Sequence, residues 1–250
     1  MKISNYGWIK DDDDSRDYKF VPKDIMLPNK VDLRSLCPPV YDQLSLGSCT
    51  ANALASDVEF IIDKEKYPDF MPSRLFIYYN ERKIEHTTKS DSGAQIRDGI
   101  KSLAKWGVCH ETSWAYDISK FTMKPPKAIY KEALKDVINK YERIKGLESF
   151  KNALAQGYPV VFGFEVFEDF ESTYTANTGI VRMPSGSQIG GHAVKGVGFD
   201  DNMTANGVTG YAIVKNSWGK DWGEKGYFYI PYSYLDSELC SDFWVIYTVK

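Results

Sequence analysis

The chain has 250 residues, 43% of them hydrophobic and 26% charged, enough to bury a large core as one domain or two lobes. With 31 basic against 34 acidic residues and a net charge of −3, nothing electrostatic favours a nucleic-acid or membrane partner. No apolar run approaches the roughly 20 residues of a membrane helix, and the four cysteines form no C-x-x-C pair of the zinc or redox kind.

Residues 1–25 read as an extension. They are polar and lack the apolar core of a signal peptide, so intracellular residence is expected, with packaging in a viral particle or non-standard export as alternatives. The run Asp11 to Asp14 reads as a solvated loop. Val31 to Arg34 suits a strand start, and Pro38-Pro39 stiffens the approach to Gln43.

From Cys49 the pattern is helical, with Leu54, Val58, Ile61 and Ile62 on one face. Further helices are expected over 73–83, from Ile96 to a C-capping Gly107, over 126–140 and over 147–156. The chain then turns strand-rich at 160–166, 192–199, 210–216, 226–231 and 243–249. Abundant Tyr and Phe, 17 and 13, suit such strands. Helices first and strands second predict an α+β chain in two lobes. The helical lobe takes about 45–125 and an antiparallel, β-barrel-like lobe about 140–250, with a binding seam between them.

Cys49 has the position of a nucleophile. It opens a helix, whose free N–H groups favour a thiolate. Its own N–H and the Gln43 amide can hold the oxyanion that forms on an attacked carbonyl. The base must come from His86, His110 or His192. His86 lies in a polar loop, and His110 follows a helix end, where capping or solvation suffices. His192 follows Gly190-Gly191 at a strand start. A strand histidine is commonly structural, but a poised cysteine on the other lobe makes this one the best partner. Asn216, 24 residues on, can hold its ring on an adjacent strand, and Trp218 can shield that bond. N-S-W-G alone reads equally well as a turn with a core Trp.

Five blocks in order give the reading its specificity. They are Val31-Asp32-Leu33-Arg34; Gln43 with Gly47-Ser48-Cys49; Gly107-Val108 with Glu111 and Trp114-Ala115-Tyr116; Gly191-His192-Ala193-Val194; and Lys215-Asn216-Ser217-Trp218-Gly219 with Trp222-Gly223-Glu224-Lys225-Gly226-Tyr227. Together they resemble a papain-like cysteine peptidase of the C1 family over most of 31–250. The resemblance implies a papain-like two-lobe fold and a peptidase domain over 26–250. It makes Cys49 the nucleophile, His192 the acid/base, Asn216 the orienter and Gln43 an oxyanion donor. Gly93 would pair with the substrate backbone. Ala94, Gly163, Gly191, Ala193 and Trp218 would line the cleft. The pocket for the substrate's second residue, closed by a residue near Trp244 or Val245, would be apolar and suit Leu, Val or Phe.

Leu46 and Thr50 stand where many relatives carry Cys and Trp, and the glycine loop is reduced to Ser92-Gly93. The disulfides usual in the helical lobe therefore cannot form. This resembles a cysteine-poor microbial or viral branch, and a reducing compartment suits it. A histidine pair of the exopeptidase kind is absent, which favours an endopeptidase. The resemblance implies peptide or protein substrates, an acyl-enzyme intermediate and no metal or organic cofactor. A papain-fold amidase or transglutaminase-like acyltransferase and a non-catalytic peptide-binding module are the alternatives. Residues 1–25, which hold Tyr6, Trp8, Tyr18 and Phe20, are expected either to fold over the cleft as an inhibitory, propeptide-like segment or to pack as a strap on the β lobe.

Overall fold

The computed structural model describes residues 6–249. Its elements are β1 (Trp8–Ile9), β2 (Lys30–Asp32), α1 (Cys49–Lys64), α2 (Arg74–Ile84), β3 (Ala94–Gln95), α3 (Ile96–Trp106), α4 (Lys127–Ala133), β4 (Ile138–Ile144), α5 (Gly146–Ala155), β5 (Val160–Phe167), α6 (Thr173–Thr178), β6 (Gln188–Ala205), β7 (Val208–Lys215), β8 (Tyr227–Pro231), α7 (Tyr232–Leu235) and β9 (Cys240–Val249). The fold is α+β. Helices α1 to α3 pack together, and a sheet in the order β4-β9-β5-β6-β7-β8 forms the second lobe, with β2 added beside β6. The end strands β4 and β8 do not pair, so the sheet stays open rather than closing into a barrel.

α1 lies between the lobes and is buried on nearly every side. Its small residues Ala51, Ala53 and Ala55 let the other helices and the sheet approach. Strand alternation divides the core. Val161, Ala193, Trp244 and Ile246 face α1, while Phe162, Phe164, Val194, Phe199 and Phe228 fill the far side of the sheet. β5 is therefore apolar on both faces, which its VVFGF run reflects.

The helix expected over 126–140 ends at Ala133, and the chain re-enters as strand β4 against β9. Gly107 explains the break. The 133–136 turn sits so close to it that a methyl there would lie 1.9 Å from the Ala133 carbonyl oxygen, and the Val108 N–H donates to the Asp136 carbonyl at 3.0 Å.

The acidic run is not a solvated loop. Asp11 is buried and accepts from the Arg97 N–H at 3.0 Å, the Trp244 indole at 2.9 Å and the Arg143 guanidinium at 2.5 Å. Asp14 pairs with Arg97 and Arg16, and Asp17 with Arg97. Asp12 and Asp13 remain exposed. The run thus ties the N-terminal segment to both lobes, to α3 through Arg97 and to the sheet through Arg143 and Trp244.

Candidate active site

The loop before α1 is built to hold Gln43 and Cys49 in fixed relation. Leu44 takes a positive φ of 56°, and the Gln43 side-chain N–H donates to the Leu46 carbonyl at 3.0 Å. The Gln43 backbone N–H donates to the Ser217 carbonyl and its side-chain oxygen accepts from the Ser217 hydroxyl, at 2.9 and 2.8 Å. The loop is therefore pinned to the opposite lobe. Thr50 donates to the buried Glu81 carboxylate at 2.9 Å, so this position serves the core beneath α1.

Cys49 is the first residue of α1, and its sulfur accepts from the Ala193 N–H at 3.4 Å and from the Gly7 N–H. His192 stands on β6 next to Ala193. Its Nε2 meets the Asn216 side-chain oxygen at 2.8 Å, and its Nδ1 has no hydrogen-bond partner among the described residues. Trp218 lies over the imidazole at 4.8 Å between centroids and 30° between planes, covering the His192–Asn216 bond. Cys49, His192, Asn216, Gln43 and Trp218 thus converge on the seam. His86 and His110 lie elsewhere, His110 stacked on Phe70 at 4.1 Å.

The cleft is filled by the chain's own N-terminal segment. Tyr6 lies edge-on to His192 at 6.0 Å and near Trp218 at 6.1 Å, and its hydroxyl donates to Glu171 at 2.6 Å. Gly7 crosses the thiol, so close that a methyl on it would lie 1.8 Å from the Gly47 carbonyl oxygen. The Gly7 carbonyl accepts from the Ala94 N–H at 2.8 Å. Trp8 then enters a slot whose walls are glycines. A methyl at Gly163 or Gly191 would lie 2.0 or 2.7 Å from its ring. At the end of the slot the indole N–H donates to the Asp242 carboxylate at 3.1 Å.

Of the expected lining residues, Ala94, Gly163, Gly191 and Trp218 therefore border this segment, while Ala193 is placed at the thiol by its N–H. Gly93 does so sterically, with φ 72° and a would-be methyl 2.3 Å from the Gly7 oxygen, but its N–H donates to the Tyr78 hydroxyl rather than outward. The slot is not wholly apolar as expected. Asp242, with φ 58°, places a carboxylate at its floor, two residues before Trp244. Sequence reasoning missed Gly7, Asp11 and Asp242. The available signal was a Tyr-Gly-Trp tripeptide ahead of an acidic run, a small residue flanked by two large rings.

Occlusion sets the electrostatics. Burial pushes the Cys49 thiol up to about 12, against the lowering effect of the Ala193 and Gly7 N–H donors. Burial also pushes His192 down to about 4, with the Asn216 bond acting the other way. The helix N-terminus was expected to favour a thiolate, but removal of water from both groups outweighs it. Burial thus shifts both groups toward their neutral forms in this covered state.

A buried thiol at a helix start, facing an amide-oriented imidazole across a two-lobe seam, defines a thiol hydrolase site. The chain belongs to the papain family of cysteine proteases, whose profile, "Papain family cysteine protease", matches residues 27–241, and it is a cysteine peptidase. It is 45% identical to the uncharacterized peptidase C1-like protein L477 of Acanthamoeba polyphaga mimivirus, over 98% of this chain and 87% of that protein. It superposes on the crystal structure of Xylellain, a cysteine protease from Xylella fastidiosa, with a TM-score of 0.89 and 43% identity, over 100% of this chain and 98% of that one. ProCathepsin B S9 from Trypanosoma congolense shares the fold, with a TM-score of 0.80 and 18% identity over 99% and 87% of the two chains.

Proposed function

We propose that the chain is an endopeptidase held inactive by its own N-terminal strap, with Cys49 as nucleophile, His192 as acid and base, Asn216 as orienter and Gln43 as oxyanion donor. The carrying observation is the convergence of these four side chains under Tyr6, Gly7 and Trp8. The Asn216 oxygen at 2.8 Å from Nε2 leaves Nδ1 for exchange of a proton with the thiol. Once water enters, the thiolate–imidazolium pair forms and the sulfur attacks a peptide carbonyl. The oxyanion is held by the Cys49 N–H and by Gln43, whose amide is already fixed by Leu46 and Ser217. His192 protonates the leaving amine, and the acyl-enzyme is then hydrolysed by a water that His192 deprotonates.

The strap escapes cleavage because it runs backwards. The leaving half of a substrate lies on the His192 and Trp218 side, since His192 protonates it, and the acyl half lies along Ala94. A substrate therefore runs N to C from Ala94 toward Trp218. The strap begins with Tyr6 at Trp218 and ends with Trp8–Ile9 paired parallel to Ala94–Gln95. It offers the thiol a backbone of the wrong polarity. Residues 1–5 lie outside the described residues, so the reading rests on 6–17. The free state of Cys37, Cys49, Cys109 and Cys240 supports residence in a reducing, intracellular compartment.

The test compares the full chain, the same chain carrying Trp8→Ala, and Trp8→Ala with Cys49→Ala, on internally quenched peptides. Hydrolysis by the second that vanishes in the third is expected. An added amine distinguishes the acyltransferase reading, which requires amide products in place of free acids. No turnover by the opened chain and no faster Cys49 alkylation would leave only a binding module.

A further inference from the structure

Beneath the nucleophile lies a carboxyl that the chemistry described above does not use. Glu81 stands on α2 and is 0% exposed. Its Oε2 meets the Thr50 hydroxyl at 2.9 Å. Its Oε1 has no hydrogen-bond partner among the described residues and lies against α3, so close that a methyl on Gly99 would be 2.6 Å from it. Helices α1, α2 and α3 thus close on one acid. The charged groups around it come from each of them. Glu85 and Arg82 share α2, Asp98 comes from α3, and Cys49 precedes Thr50 on α1. Arg82 is already committed, its guanidinium donating to the carbonyls of Thr88, Ser90 and Phe121 at 3.3, 2.9 and 2.6 Å. An ionised Glu81 would be a buried charge without a paired cation, in the company of two other acids, which is costly. Burial accordingly holds the Glu81 carboxyl well above the usual carboxylate range, against the Thr50 hydrogen bond and Arg82 and with the help of Glu85 and Asp98.

Thr50 ties this acid to the thiol. It follows Cys49 in the first turn of α1, and its backbone N–H donates to the Cys49 sulfur while its side chain reaches Glu81. The hold on the side chain fixes the turn that carries the Thr50 and Cys49 N–H groups. One of these faces the sulfur, and the other, on the proposed reading, faces the oxyanion. The link also transmits charge. Burial is the larger cause of the upward push on the Cys49 thiol, but Glu81 adds to it, because a negative carboxylate opposes a negative sulfur across a single residue.

From this we propose that Glu81 is a positioning residue for the nucleophile and acts as a neutral acid. Protonated, it holds Thr50 and with it the first turn of α1. Ionised, it sets a charge beneath the thiolate and closes the alkaline side of the activity range. Thiolate and carboxylate compete for this turn, so the opened enzyme works between formation of the first and ionisation of the second.

This inference deepens the peptidase reading and rests on it for turnover, so the thiolate is also titrated by itself. The reference is the full chain carrying Trp8→Ala. Onto it are placed Glu81→Gln, Glu81→Leu, Thr50→Val, and the last two together. Glutamine keeps an acceptor for Thr50 and cannot ionise. It should leave the acid limb of kcat/KM in place and raise the ratio of the rate at pH 9.5 to that at pH 7 by about threefold or more over the reference. Glu81→Leu and Thr50→Val should each lower kcat about five- to tenfold with little change in KM, and the pair should lose no more than either alone. Glutamine should keep most of the kcat that leucine loses. A purely structural carboxyl would shift Tm and leave both limbs where they are. The assignment is overturned by an acid limb that Glu81→Gln moves to lower pH, which means an ionised carboxyl at work, by an unchanged ratio of the two rates, or by additive losses in the pair. If the opened chain cleaves nothing, the peptidase reading fails and the Cys49 thiolate absorbance near 240 nm, after subtraction of the matching Cys49→Ala chain, decides alone. A larger signal at pH 9.5 in Glu81→Gln than in the reference sustains the assignment, and an equal one overturns it.

Discussion

Trp8→Ala in the full chain should convert a closed enzyme into an open one. Trp8 is 9% exposed, its ring lies against the backbone of Gly163 and Gly191, and its N–H is bound to the Asp242 carboxylate. In the released strap the indole is in water, so its whole burial counts toward closure. Truncating a buried Trp to Ala costs about 3–5 kcal/mol, which raises the ratio of open to closed chains roughly 10²- to 5 × 10³-fold. The Asp11 contacts with Arg97, Arg143 and Trp244 are left in place, so the strap stays tethered and closure is weakened rather than abolished. The assay is the second-order rate of iodoacetamide labelling at Cys49, followed by peptide mapping because Cys37 is also partly accessible. Wild type should label far more slowly than a free thiol, and Trp8→Ala about 10²-fold or more faster than wild type until the open population saturates. Equal Cys49 labelling rates in the two chains, with unchanged thermal unfolding of the body, would refute the argument that the strap controls access.

Three further outcomes follow from the same geometry. The closed form holds Cys49 near 12 and His192 near 4, so between pH 6 and 8 the wild-type chain should show no thiolate absorbance near 240 nm from Cys49. Trp8→Ala should show a thiolate signal in that window that Cys49→Ala removes, because hydration lowers the thiol and raises the imidazole together. On the opened chain, Asn216→Ala should lower kcat roughly 10- to 100-fold, since it deletes the hydrogen bond that orients His192 in its charged form. Lys215→Met should destabilise the body by about 2–4 kcal/mol, seen as a fall in Tm of roughly 4–16 °C, because Nζ bridges the Pro38 and Pro39 carbonyls and the Ser56 hydroxyl behind the site.

How much was legible in the sequence follows from whether a feature is local. The Gln43–Cys49 loop is set by residues a few positions apart. The pattern Gly191-His192 followed by Asn216 is set by two neighbouring strands, β6 and β7, whose Lys195 and Lys215 pair in register. Such features leave a signature in spacing. The strap does not. Asp11 reads as one of four solvated acids until α3, β4 and β9 bring Arg97, Arg143 and Trp244 around it, from positions 86 to 233 residues away. Asp242 was harder still. In the sequence it is a polar residue at the start of a strand, and the expectation passed over it for Trp244 and Val245, which face the core. Only its positive φ and the indole that reaches it reveal an inward carboxylate. The helix expected to run to residue 140 failed for a similar reason, because Gly107, some 30 residues upstream, admits the backbone that ends it. Nor does the helix start at Cys49 by itself determine the state of the thiol. The N-terminal dipole is a local property that by itself favours a thiolate, but desolvation depends on what covers the sulfur. Here the cover is Gly7, 42 residues earlier and without a side chain. A glycine is the residue that brings backbone closest to the sulfur, so one of the least conspicuous positions in the extension decides how completely the thiol is covered.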